Sequence, residues 1–136
     1  FKSKLLKENP YDNKMSWSDD GDLCDRLGKK KHRFAIADAE IYEIGSENLK
    51  SVLYRWRGYG KSDWEIYAKN APEWRFARKL YSLTHPLRND LIMPFLKIPG
   101  AGRLWALPFL FLITAVRYFS WIRYASKAFL LKLNSQ

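Results

Sequence analysis

The segment Arg103–Arg123, RLWALPFLFLITAVRYFSWIR, constrains this chain more than any other. Between Arg103 and Arg117 there are 13 residues without a charge, and allowing Arg117 extends the apolar stretch to Leu104–Ile122, 19 residues. As a helix it reaches about 28 Å, close to the thickness of a bilayer's hydrocarbon layer. Trp105 and Trp121 stand 16 residues apart, about 24 Å along a helix. Indole rings favour the two membrane–water interfaces, so this pair reads as an aromatic belt. Arg103 and Arg123 bracket the stretch. Arg117 lies about 9 Å from its C-terminal edge, within reach of headgroups for a long side chain. An uncharged run of 13 residues alone suits a buried core helix, and an in-plane interfacial helix is a third reading. The Trp pair, the flanking arginines and the near absence of polar side chains, only Thr114 and Ser120, favour a single span. Arg103, Trp105, Arg117, Trp121 and Arg123 are the expected membrane anchors.

The rest of the chain divides around that span. With 136 residues there is room for one small unit and not for two independent cores. Residues 1–102 read as an extramembrane region of short helices and loops, 103–123 as the transmembrane helix and 124–136 as a basic juxtamembrane tail. The fold class is mainly α, with a single transmembrane helix and an extended, partly helical N-terminal region. Net charge is +10, and all 14 acidic residues lie at or before Asp90. The basic, acid-free tail, with Lys127 and Lys132, suits an anionic lipid surface such as one rich in cardiolipin. RNA is the competing polyanion. Basic residues are too evenly split between the two ends of the span to set its orientation.

Local signals place elements before the span. Residues 1–9 suit a short basic helix ended by Pro10, and Tyr11–Lys31 reads as loop. The acidic group Asp19, Asp20, Asp22 and Asp25 lacks the spacing and closing Glu of a calcium loop. The run Lys29–Arg33 is read first as solvated, with lipid headgroups or RNA as other contacts. Phe34–Ile44 leans towards helix. Ser46 reads as the N-cap of a helix to Trp56, with Leu49, Val52, Leu53 and Trp56 on one stripe and Gly58 and Gly60 as stop signals. Ser62 and Glu65 match a capping box opening a further helix. Pro72 suits the first turn of the next one, and Pro86 follows its end. Leu91–Ile98 is too short to span and reads as interfacial or re-entrant. Gly100–Gly102 is the hinge before the span.

No catalytic constellation stands out. His32 and His85 are far apart, and neither sits in a metal-ligand spacing with Cys24 or a carboxylate. A single cysteine excludes an intramolecular disulfide. We expect no enzyme, no cofactor, no metal and no small-molecule substrate. Phe1 in place of Met reads as either a processed form, which a cleaved targeting presequence would fit, or an incomplete one.

At Asn70–Arg78, NAPEWRFAR, the chain resembles the subunit 4 family of beta-subcomplex accessory subunits of mitochondrial NADH:ubiquinone oxidoreductase (complex I). That family carries an Asn-Pro stretch, then Trp-x-aromatic-Ala-Arg, a Pro-containing connector and one transmembrane helix with a basic end. Trp74, Phe76, Ala77 and Arg78 match the motif, and the span follows in the corresponding order. Ala71 separates Asn70 from Pro72, the connector is longer, and the likeness covers the C-terminal half. The resemblance implies a non-catalytic accessory subunit in the mitochondrial inner membrane, single-pass, holding neighbouring subunits together in an electron-transport complex of the respiratory chain. Trp74, Phe76, Arg78, Lys127 and Lys132 are then candidate contacts to other subunits or lipid. An accessory subunit of ATP synthase or cytochrome oxidase, or a basic RNA-contacting mitoribosomal protein, are the alternatives, with nucleic acid not favoured.

Overall fold

The computed structural model describes residues 3–13, 15, 19–35 and 48–134. The fold is mainly α, and among the described residues there is no strand. Helix α1 spans Ser3–Glu8 and α2 spans Asp19–Lys29. Helix α3 is Leu49–Asn70 and α4 is Phe76–Pro86. A π-helical segment, Leu87–Ile92, leads directly into α5, Met93–Lys97. The long helix α6 is Gly102–Leu133.

The short basic helix before Pro10 forms as expected, but the loop expected over Tyr11–Lys31 contains α2. Leu23 and Leu27, one turn apart, are fully buried. Arg26 pairs with Asp22 at 2.8 Å, and Lys29 with Asp25 at 3.4 Å. Both are i, i+4 pairs, and carboxylates near the start of a helix suit its dipole. The acidic group is thus largely spent on helix and docking contacts. Phe34 and Ala35 are irregular, and the remainder of the segment expected to lean helical lies outside the described residues, as does Ser46.

Helix α3 overturns three expectations. Asn48 is its N-cap, its side chain accepting from the Ser51 amide at 2.9 Å. Gly58 and Gly60 lie in its interior and do not stop it. Ser62 is buried in mid-helix and opens nothing. An internal glycine costs a helix about 0.5–1 kcal/mol against alanine, a cost that tertiary packing can offset. Here α6 lies so close that a Cβ on Gly60 would fall 2.1 Å from the Arg117 carbonyl oxygen.

Pro72 lies in the turn after α3, and α4 begins at Phe76. Pro86 does not end the helix. It is the last residue of α4, and the chain continues into the π segment. Proline supplies no amide proton to the helical ladder, and a wider π turn is one way for a helix to accommodate the gap. Gly100, at φ +63°, makes the reversal into α6, a conformation that glycine adopts without a Cβ clash.

Three of these pieces form an up-down-up bundle. Gly60 meets Arg117 and Trp64 meets Trp121, so α3 and α6 run in the same direction. Leu83, Asp90 and Phe95 lie opposite Tyr118, Arg117 and Arg103, so the α4–α5 arm runs against α6. Helix α6 continues unbroken beyond Arg123 to Leu133. Its residues Gly102–Leu131 are long and apolar enough to cross a membrane, and in their most apolar window only 28% of positions are buried within the fold. Residues 49–97 are not detached from that helix but pack along one stripe of it, through Leu110, Ile113, Thr114, Arg117 and Ser120.

Candidate functional site

The centre of the bundle is a charge cluster built on Arg117. A lone arginine in an apolar helix needs an anion, and the fold supplies two. Nε and Nη2 donate to the two Asp63 oxygens of α3, at 2.6 and 3.0 Å. Nη1 donates to both Asp90 oxygens of the π segment, at 3.0 Å each. Tyr59 offers its ring face to the guanidinium at 5.5 Å. Arg117 is 8% exposed, so it does not snorkel to headgroups as expected. Asp63 takes the planar two-nitrogen fork and Asp90 a bifurcated contact from Nη1, and together they hold the guanidinium better than one interfacial contact could.

The rest of the cluster is ordered around that fork. Arg88 Nε donates to Asn89 Oδ1 at 3.2 Å, which turns the Asn89 amide nitrogen to His85 Nε2 at 2.7 Å. His85 Nδ1 lies 3.4 Å from Arg117 Nη2. Burial first, and then the Arg117 charge, hold His85 below its ordinary pKa, so the neutral ring is favoured. Burial raises the Asp90 carboxyl, with Arg117 opposing. The Trp56 indole N–H is buried without a partner in hydrogen-bond geometry, yet it faces Asp90 closely enough to favour the ionised carboxylate.

Three polar side chains of α6, Thr114, Tyr118 and Ser120, are also satisfied. Ser120 donates to the Arg57 carbonyl of α3 at 2.7 Å, and Thr114 to its own helix at Leu110, also 2.7 Å. Tyr118 donates to the Leu83 carbonyl at 2.7 Å. Together with the Gly60 contact these bonds make a seam that can hold three helices in one register. The cluster contains acids, a base and a histidine, but no nucleophile set against a base. Among the described residues no group of His, Cys, Asp or Glu is placed to hold a metal ion.

The residues singled out in the sequence end in different surroundings. Trp121 packs edge-on against Trp64 at 5.2 Å and Tyr67 at 5.7 Å, inside the bundle and not at its periphery. Trp74 joins this cluster through Tyr67 at 6.0 Å, and Arg78 lies over Trp74 at 5.0 Å. Arg103 bonds back to the Gly100 carbonyl at 3.1 Å and sits over Phe95. Trp105 and Phe76 point outwards, 87% and 80% exposed. Arg123 and Lys127 are exposed on α6, and the Lys132 side chain lies outside what is described. Asp63 and Asp90 were not expected at a site, Gly60 was expected only as a helix stop, and His85 only as a residue outside any metal-ligand spacing. The demand of Arg117 for a buried anion was the available signal for the two acids.

The bare face of α6 is the second feature. Leu104, Trp105, Phe111, Phe119, Ile122 and Phe129 are exposed on it, a continuous apolar surface of the kind that marks a membrane or protein contact. No family model matches this chain, and no curated protein or solved structure matches it at a significant level.

Proposed function

We propose that this chain is a non-catalytic accessory subunit of a mitochondrial inner-membrane respiratory complex, foremost the membrane arm of NADH:ubiquinone oxidoreductase. The supporting observation is the asymmetry of α6. One stripe is sealed by the bundle, and the opposite face presents large apolar side chains over a length that can span a bilayer. A core helix of a soluble protein would be covered on most sides. In this reading lipid and neighbouring subunits cover the bare face, and Phe76 and Trp105 are contacts to them. The motif around Trp74–Arg78 supports complex I over ATP synthase and cytochrome oxidase.

The RNA-contacting reading draws less support. Lys29, at the head of the basic run, contacts Asn70 at 3.1 Å and Glu73 at 3.2 Å, and Lys30 contacts Asn9 at 2.5 Å. Those two amines already have partners within the fold.

Mild-detergent extraction of native membranes, a native gel and mass spectrometry of this chain test the proposal. Co-migration with NADH-oxidising activity in a very large band is expected. Migration with ATPase or cytochrome oxidase would keep a respiratory role and reassign the complex. Recovery in a ribosomal or membrane-free fraction would overturn the reading.

A further inference from the structure

On the side of the α3–α6 seam away from α4, the two helices leave an open groove of about 970 Å³. Its walls are Leu49 and Leu53 of α3 with Ala115, Val116 and Phe119 of α6, and its rim carries Lys50, Arg57 and Arg123. A smaller hollow of about 340 Å³ shares Tyr54 and Arg57 and adds Lys61 and Tyr124. Among the described residues no carboxylate lines either space. Lys61 is already engaged, 3.5 Å from Glu65 and over the Tyr124 ring. Lys50, Arg57 and Arg123 are exposed, and no described carboxylate pairs with them.

We propose that this groove binds one anionic phospholipid, with its phosphate on Arg57 and Arg123 and its acyl chains along Leu53, Leu49, Val116 and Phe119. The inference deepens the membrane reading of α6 and rests on it. The pattern of charge and apolar surface selects the occupant. A guanidinium pair recognises phosphate oxygens, while the walls formed by Leu49, Leu53, Ala115, Val116 and Phe119 offer apolar contact. An amphiphile satisfies both, and a basic pocket beside a membrane helix suits an acidic headgroup. An acidic peptide would leave the apolar walls to water.

The test uses the full chain, purified in mild detergent and equilibrated with mixed micelles of tetraoleoyl cardiolipin and phosphatidylcholine. Native mass spectrometry reads the lipid retained. Wild type is expected to retain the anionic lipid in preference to phosphatidylcholine. Arg57→Gln with Arg123→Gln is expected to lower that retention by about tenfold or more. Lys127→Gln, on α6 but outside the groove, should change it by less than about twofold. Circular dichroism of each variant should show unchanged helix content, since both arginines are exposed.

Three results would overturn the site: equal retention of phosphatidylcholine, an equal loss in Lys127→Gln, or full displacement by millimolar inorganic phosphate. Alkaline carbonate extraction of native membranes separates the two ideas. Release of the chain sinks the membrane reading, whereas resistance to carbonate with no lipid preference sinks only the lipid site.

Discussion

Two joints in this molecule use opposite charges, and they differ in almost every other respect. The α3–α6 seam sets Arg117 between Asp63 and Asp90 with all three side chains largely withdrawn from solvent. The α2–α3 joint sets Lys69 between Asp22, at 2.5 Å, and Asp12, at 2.9 Å, and the lysine side chain is 36% exposed. In the seam, the planar guanidinium is fully engaged and the backbones touch at Gly60. At the joint, a partly solvated ammonium on a flexible stem is shared between partly exposed Asp12 and buried Asp22, and Asp22 has Arg26 as a second cation. Burial opposes the ammonium charge there, but Asp22 and Asp12 outweigh it, and Lys69 is raised above its ordinary pKa. The contrast shows that pairing matters through what it would cost to undo. A buried charge left alone is expensive, and a solvated one is not.

The largest effect should come from Gly60→Ala. Its Cβ would meet the Arg117 carbonyl oxygen at 2.1 Å and the Ser120 Cβ at 2.8 Å. Backbone cannot rotate away, so α3 and α6 must part. Overpacking costs about 1–3 kcal/mol, and parting the helices also breaks the bonds to the Arg57 carbonyl and to Asp63, the latter adding roughly the 3–5 kcal/mol of a broken buried ion pair. Denaturant unfolding in detergent should show this as the most destabilising of these substitutions. A stability equal to wild type would mean that the two helices are not in close contact at this point.

Arg117→Met should cost roughly 3–5 kcal/mol, because Asp63 and Asp90 lose their cation in a buried site. Adding Asp63→Leu and Asp90→Leu should restore most of the loss, since an apolar core of similar volume replaces the cluster. If the triple variant stays as unstable as the single one, the cluster contributes something beyond its own charge balance.

A smaller effect is expected from pH. His85 has a folded pKa below its unfolded value of 6.5. Its contribution is therefore present above pH 6.5 and is lost as pH falls through that value towards the folded one. Asp90 has the opposite sign. With a folded pKa above 3.8, its contribution is present below 3.8 and lost as pH rises through the folded value. The groups facing His85 are Asp63 of α3, Arg88 and Asp90 of the π segment, and Arg117 of α6. Thermal unfolding followed downwards from neutral pH should show a stability loss in wild type that His85→Gln reduces. An identical profile in the variant would assign the acid sensitivity elsewhere.

The joint should respond least. Lys69→Gln is expected to change stability by less than about 1 kcal/mol. Gly28→Ala, whose Cβ would meet only Phe34 at 3.9 Å, should stabilise α2 by about 0.5–1 kcal/mol through helix propensity alone. The same substitution at Gly28 and Gly60 should thus have opposite signs, read from the shift in denaturant midpoint. Matching signs would remove the distinction between joint and seam.

The long apolar helix was legible in the order of residues, because hydropathy over Leu104–Ile122 is a local property and length sets what it can span. The hinge over Gly100–Gly102, of which Gly102 proves to be the first helical residue, and the mainly α class followed from similarly local signals. The meaning of particular residues was not local. Gly58 and Gly60 read as stops because glycine weakens an isolated helix, and only the neighbouring α6 turns Gly60 into a contact point. Arg117 read as a snorkelling anchor because its two acids stand 54 and 27 residues away. Trp121 read as an interfacial ring because Trp64 and Tyr67 belong to another helix. Helix and span are decided by near neighbours along the chain, whereas the partner of a buried charge or ring is decided by which helices the fold lays side by side.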